Sequence, residues 1–222
     1  MTQGSTLSPQ HEDWLRFAEL TSMKDHWDRP GWTPDRQAYY WYLTFSSPDL
    51  RELAGYCQDQ LRLSYLDPVP LDGLHLTLPK IGWSDELSAD EVDLVAAAGM
   101  RSCADLEPFT LTVGPLAGSP GAVRFSVAPW EPVVKLHQRL QKAVRTVRGA
   151  ACKEAEFRPH IGIAYCNSKV PAEELITAVE SLRGLPPVDV QVSQVELVLL
   201  RREDHIYKWS TVHTVPLAGL DI

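Results

Sequence analysis

No stretch of this chain stays apolar for long. Runs such as Val195–Leu200 are short and already broken by Glu196, whereas a bilayer-spanning helix needs about 20 apolar residues, so no membrane partner is expected. Positive charge is also scarce. Lys and Arg total 21 against 29 Asp and Glu, a formal net charge of -8. Proteins that coat nucleic acid non-specifically are usually basic. Long nucleic acid is therefore excluded as a bulk partner, while a small nucleotide or a single RNA end is not. The four cysteines, Cys57, Cys103, Cys152 and Cys166, are scattered, with no Cys-x-x-Cys pair. That spacing excludes a zinc ribbon or a dithiol redox motif and reads as free thiols in a reducing compartment. Met1–Glu12 is polar and lacks an apolar signal core, so a cytoplasmic protein is expected.

What is present suits a globular protein. Hydrophobic residues make up 44% of 222 residues, enough for one large domain or two small lobes. Residues 1–37 read as an N-terminal extension. Ser8-Pro9 caps a short helix running to about Leu20, with Trp14, Phe17 and Ala18 on one face. Turn signals at Asp28–Gly31 and Thr33-Pro34 follow. Trp14, Trp27 and Trp32 are read as staples to the main body, with an aromatic wall at a site as the rival reading.

From residue 38 to 222 strand and helix signals alternate. Strands are expected at Ala38–Phe45, Gly73–Leu78, Phe109–Val113, Val123–Val127, Phe157–Tyr165, Val188–Leu200 and Ile206–Val215. Helices are expected from Pro48 to about Leu63, Ser88 to Cys103, Pro132 to Arg148 and Pro171 to Arg183, the second opened by a capping-box pattern, Ser88 to Glu91. Some strand pairs are joined by loops too short for a crossover, others by helices. The mix predicts an α+β fold with mostly antiparallel sheets.

Two segments resemble each other. Leu74-His75-Leu76-Thr77-Leu78 precedes a loop and a helix opened by Ala89-Asp90-Glu91. Pro159-His160-Ile161-Gly162-Ile163 precedes a loop and a helix opened by Ala172-Glu173-Glu174. A shared strand–loop–helix plan with one histidine per copy suggests a duplicated half. Strand side chains alternate faces, so Leu74, Leu76 and Leu78 point one way and His75 and Thr77 the other. Ile161 and Ile163 point inward, and His160 outward beside Gly162. If the halves pack about a pseudo-two-fold axis, the two imidazoles meet across a cleft.

Imidazole titrates near neutrality, so one member of a pair can take a proton while the other gives one. Phosphodiester cleavage needs both transfers, each worth about 10²–10⁴-fold. A threonine hydroxyl can hydrogen-bond a phosphate oxygen. No cofactor or metal enters this scheme.

At these residues the chain resembles the 2H phosphoesterase superfamily, in particular its 2′-5′ RNA ligase-like members, named for two H-x-[T/S]-x motifs. His75-Leu76-Thr77-Leu78 matches in full, and His160-Ile161-Gly162-Ile163 in part. The closing strands Val195–Arg202, with Tyr207 and Val215-Pro216-Leu217, are also similar, so the resemblance spans residues 38–217. It implies a bilobal duplicated domain with two antiparallel sheets flanked by helices around a central cleft. It implies metal-independent chemistry on 2′,3′-cyclic or 2′-5′ phosphodiester bonds of a nucleotide or RNA end. His75 and His160 would then be acid and base in an order the sequence does not fix, and Thr77 a phosphate ligand.

Gly162 departs from the pattern, where a hydroxyl is expected. A lost hydrogen bond to a charged group costs about 1.5–3 kcal/mol if nothing replaces it. Either Tyr165 or Lys80, each five residues after its histidine, supplies a substitute, or glycine lets the substrate approach the backbone. Arg158 shares a strand face with His160 and is a candidate phosphate fork. Tyr207 is a candidate cleft residue in the closing hairpin. Gly162 also keeps open a rival reading, a binding module that retains the cleft without turnover. A third reading, an unrelated α+β protein, places the histidines on different surfaces. Lys135, Arg139, Lys142, Arg145 and Arg148 read as a solvated basic stripe, and His11, His26, His137, His205 and His213 as structural or surface. A monomer is expected.

Overall fold

The computed structural model describes residues 8–149 and 156–217. Cys152 and the first seven residues of the extension lie outside them. Among the described residues fourteen helices and strands follow one another in the order α1 (Pro9–Ala18), β1 (Ala38–Thr44), α2 (Pro48–Gln60), β2 (Leu66–Pro68), β3 (His75–Trp83), α3 (Ala89–Cys103), β4 (Phe109–Ser119), β5 (Ala122–Ala128), α4 (Trp130–Arg148), β6 (His160–Cys166), α5 (Glu173–Leu182), β7 (Val188–Val192), β8 (Gln194–Glu203) and β9 (Ile206–Pro216). The strands form two antiparallel sheets, ordered β3-β1-β8-β9 and β2-β6-β5-β4-β7. This is the α+β, two-sheet architecture that the alternation of signals predicts.

Local chemistry explains the element ends. Ser8 Oγ accepts from the His11 amide at 3.3 Å and Pro9 is the first helical residue. Ser88 and Glu91 form the full capping box, satisfying two otherwise unpaired amides. The run expected as one strand, Val188–Leu200, is two. It breaks at Ser193, where the chain leaves β7 in one sheet and enters β8 in the other. Both strands bury apolar residues on one side, Val190 and Val192 before Ser193 and Val195 and Leu197 after it, so the run reads as one strand. The strand expected to end at Leu78 continues to Trp83, and a turn of 3₁₀ helix, Leu71–Gly73, precedes it.

Burial follows the predicted alternation. Leu74, Leu76, Leu78, Ile161 and Ile163 are all buried in one continuous core. Helices α3 and α4 pack on each other and against β9 and β3 respectively, while α2 and α5 lie against strands of the other sheet. Trp41 sits against α3 only because residue 99 is glycine; a Cβ there would lie 2.8 Å from the indole. Cys57, Cys103 and Cys166 are buried free thiols.

Residues 8–37 are fastened to this body. Phe17 is fully buried over Gly118, where a Cβ would collide with its ring. Beyond α1 the backbone itself is bound: the amides of Met23, Lys24 and His26 donate to the carbonyls of Val170, Pro120 and Cys166 at 2.8, 2.6 and 2.7 Å. Trp14 packs beneath Arg183, and the Trp27 indole donates to Asp67 at 2.9 Å. Those two tryptophans staple, as expected. Trp32 does more, as the cleft shows.

Candidate active site

The two histidines begin equivalent strands. On β3, His75 pairs with Thr44 of β1 and Thr77 with Tyr42. On β6, His160 pairs with Ser126 of β5 and Gly162 with Arg124. Each motif strand thus has an equivalent neighbour in the same register, and β3 and β6 approach each other where the sheets meet. His75 and His160 line one cavity of about 270 Å³ with Thr77, Tyr165 and Tyr207. The reading that put the imidazoles on different surfaces therefore fails.

Both rings are held alike. His75 Nδ1 lies 2.8 Å from the Gly73 carbonyl and His160 Nδ1 2.7 Å from the Arg158 carbonyl. A carbonyl only accepts, so Nδ1 carries the proton on each ring and Nε2 keeps its lone pair. That tautomer leaves Nε2 of a neutral ring able to accept a proton. Burial lowers the pKa of both histidines to about 4, aided at His160 by the positive charge of Arg124. Both rings are therefore neutral at pH 7, and an anion entering the cleft favours protonation.

The walls differ. His75 stacks on Tyr42 at 4.3 Å, with Trp209 edge-on at 5.1 Å, and Tyr42 is also the cross-strand neighbour of Thr77. Among the described residues His160 has no such stack. Its Nδ1 also lies 3.0 Å from Arg124 Nη1; the shorter 2.7 Å contact with the Arg158 carbonyl takes the Nδ1 proton, so Arg124 acts there through charge. Arg124 in turn reaches Asp13 of α1, whose carboxylate is fully buried. Asp13 also takes a 2.9 Å bond from Arg158 Nε and a 2.8 Å bond from Ser126 Oγ.

Of the residues expected from the sequence, His75, His160, Thr77, Tyr165 and Tyr207 meet at the cavity. Gly162 adjoins it through Tyr165: a Cβ on residue 162 would stand 3.3 Å from the Tyr165 hydroxyl. Lys80 is not among the lining residues; its ammonium sits 3.0 Å over the Trp83 ring. Arg158 turns away to Asp13, Glu12 and Glu156 and over Trp130, and its contribution at the histidine is its backbone carbonyl. On the α4 stripe, Arg139 pairs with Asp105 and Arg148 donates to the Ile81 carbonyl.

Trp32 lines the cavity, as the rival aromatic-wall reading had it, and sequence reasoning misses two polar lining residues from the same segment before β1, His26 and Arg29. His26, expected to be structural or superficial, is only 7% exposed and stacks on Tyr165 at 4.0 Å. Nothing in its local pattern signals this, because the segment is placed by long-range backbone bonds. Among the described residues no His, Cys, Asp and Glu cluster has the makings of a metal site, and no helix is long and apolar enough to cross a membrane.

Comparison with solved structures finds the same fold. Escherichia coli LigT, in a crystal structure with 3′-AMP, superposes with a TM-score of 0.65 at 18% identity, over 83% of this chain and 100% of that one. TT0787 of Thermus thermophilus gives 0.62 at 22% identity, over 83% and 99%. A protein described as a phosphoesterase gives 0.63 at 18% identity, over 82% and 99%. No curated protein sequence matches the chain. The sequence profile of the 2′-5′ RNA ligase superfamily matches residues 49–205, so most of the chain, including both histidine motifs, belongs to that superfamily.

Proposed function

We propose that this protein is a phosphodiesterase acting on 2′,3′-cyclic phosphate or 2′-5′ phosphodiester bonds of a nucleotide or RNA end. The observation that carries the reading is the pair of imidazoles, both with Nδ1 tied to a carbonyl and both lining one cavity. The arginines at this cleft suffice to bind an anion; two rings each presenting an Nε2 add the means to take and give a proton.

In cleavage of a 2′,3′-cyclic phosphate, a neutral histidine takes a proton from water as its oxygen attacks phosphorus. The ring phosphorus–oxygen bond breaks, and the other histidine, protonated on Nε2 with the substrate, gives its proton to the leaving ribose oxygen. One proton is taken and one given, so the pair ends with its roles exchanged. Thr77 binds a non-bridging phosphate oxygen. The Tyr165 hydroxyl stands where a side chain on residue 162 would project and supplies the donor that Gly162 lacks. Escherichia coli LigT has been crystallised with 3′-AMP, ATP, NADP⁺ and phosphate, which supports a small phosphorylated substrate here.

The reading is tested by incubating the protein, in chelator, with 2′,3′-cyclic nucleotides and 2′-5′ dinucleotides beside a His75→Ala/His160→Ala double variant. Cleavage by the parent alone is expected, and the product isomer identifies the bond. Saturable binding without cleavage would overturn turnover and leave a nucleotide-binding module.

A further inference from the structure

The cavity has a wall that the superfamily match does not cover. His26 and Arg29 precede residue 49, where the match begins, and both line the space that holds His75 and His160. Their hydrogen bonds can be assigned proton by proton. Arg29 Nη2 lies 3.1 Å from His26 Nδ1. A guanidinium only donates, so Nδ1 carries the lone pair and the proton of neutral His26 is on Nε2. That is the opposite tautomer to His75 and His160. Burial and the charges of Arg29 and Arg202 hold the ring neutral.

His26 Nε2 lies 2.9 Å from the Tyr207 hydroxyl and must donate to it. Arg202 Nη2 donates to the same oxygen at 3.1 Å. Two donors thus occupy the acceptor side of the phenol oxygen. The Tyr207 hydroxyl hydrogen is left to point elsewhere, and Tyr207 lines the cavity.

We propose that Tyr207 is a substrate-binding donor to a phosphate oxygen, and that His26, held by Arg29, is the positioning residue that turns the Tyr207 proton toward the substrate. Charge fixes the ligand class. The cavity lining contains Arg29 and no carboxylate, and Arg202 stands behind the phenol with its guanidinium over the Tyr207 and Trp32 rings at 5.3 and 4.4 Å. Donors backed by cations select an anionic oxygen over a neutral one. The segment before β1 is then part of the binding site and sets its preference for phosphorylated over unphosphorylated nucleosides. This inference rests on the nucleotide reading of the cleft and not on turnover.

Calorimetric titration of the full chain with 2′-AMP and with adenosine tests it without requiring catalysis. Tyr207→Phe is expected to weaken 2′-AMP binding about tenfold or more and to leave adenosine unchanged. His26→Leu should weaken 2′-AMP in the same direction. His26→Gln should restore it, since an amide can accept from Arg29 and donate to Tyr207 at once. A merely structural His26 would not distinguish Gln from Leu in this way. Thermal melts establish that each variant folds; if Tyr207→Phe does not fold, the Leu and Gln pair decides the question. Equal 2′-AMP affinity in parent and Tyr207→Phe, loss of 2′-AMP and adenosine binding in parallel, or no 2′-AMP binding by the parent would overturn the proposal. Absence of cleavage with the binding pattern intact would overturn the phosphodiesterase reading alone.

Discussion

Tyr42 and Arg124 occupy equivalent places in the two halves of the molecule. Tyr42 pairs with Thr77, two residues past His75, and Arg124 pairs with Gly162, two residues past His160. One histidine therefore has a neutral ring against it and the other a cation. Two imidazoles of the same tautomer thus meet different neighbours across the strands.

The exchange has a measurable consequence. Arg124 disfavours the protonated form of His160, while His75 feels no comparable cation. Replacing the guanidinium by an amide, Arg124→Gln, should raise the His160 titration midpoint from its depressed value of about 4 toward the ordinary range. His75 should move little. Imidazole signals followed by NMR from acid to neutral pH read this directly. A His160 midpoint unmoved by the substitution would mean that burial alone sets it.

These relationships differ in how far the sequence shows them. The His75 and His160 motifs, the capping box at Ser88 and the alternation of Leu74, Leu76 and Leu78 are local patterns, and local patterns are legible. The pairing of Thr77 with Tyr42 and of Gly162 with Arg124 depends on strand order, which the sequence does not state. Ser193, where the chain changes sheets, lies between two half-buried strands that read as one. His26 and Asp13 are the least visible. Each is a single polar residue with a partner more than a hundred positions away, Tyr207 for one and Arg124 and Arg158 for the other. No periodicity marks such a residue.

Gly162 and Tyr165 should behave as a coupled pair. The tyrosine hydroxyl borders the space that a side chain on residue 162 would need. Tyr165→Phe should lower kcat about tenfold through loss of one donor to the phosphate. Gly162→Ser alone should gain little, because the new side chain presses on the phenol. In the Tyr165→Phe background the same serine should recover much of the loss. A double-mutant cycle of steady-state rates measures the coupling; additive effects would show that Tyr165 does not stand in for the missing hydroxyl.

Asp13 holds together more than α1. Its buried carboxylate sits between Arg124 and Arg158, whose side chains are each only 9% exposed. Asp13→Asn leaves two largely buried guanidiniums without that counter-charge, and breaking a buried pair in this way costs about 3–5 kcal/mol. Denaturant unfolding should show a lower midpoint with little change in slope. Arg16→Ala, which removes an exposed pair with Glu156, should leave the midpoint almost where it was, because solvent screens such a pair. Comparable losses from both substitutions would remove Asp13 from its bridging role.

Acid should loosen this protein before its carboxylates are widely protonated. His26 has a pKa lowered to about 2, and His75, His137 and His160 have values lowered to about 4, in each case mainly by burial. In the unfolded chain each returns to about 6.5. Between those limits the unfolded state binds more protons than the folded state, so stability rises with pH across the window and falls as pH drops from about 6.5 toward about 4. Four groups acting together should lower the melting temperature by many degrees over that range, since about 1 kcal/mol corresponds to roughly 2–4 °C in a chain of this size. A phosphorylated nucleotide in the cleft opposes the loss, because its charge favours the protonated imidazoles that burial alone resists. Melting curves at half-unit pH steps, with and without 2′-AMP, should therefore diverge as pH falls. A flat melting temperature across that window would show that these rings take up protons without cost, and hence that water reaches them in the folded state.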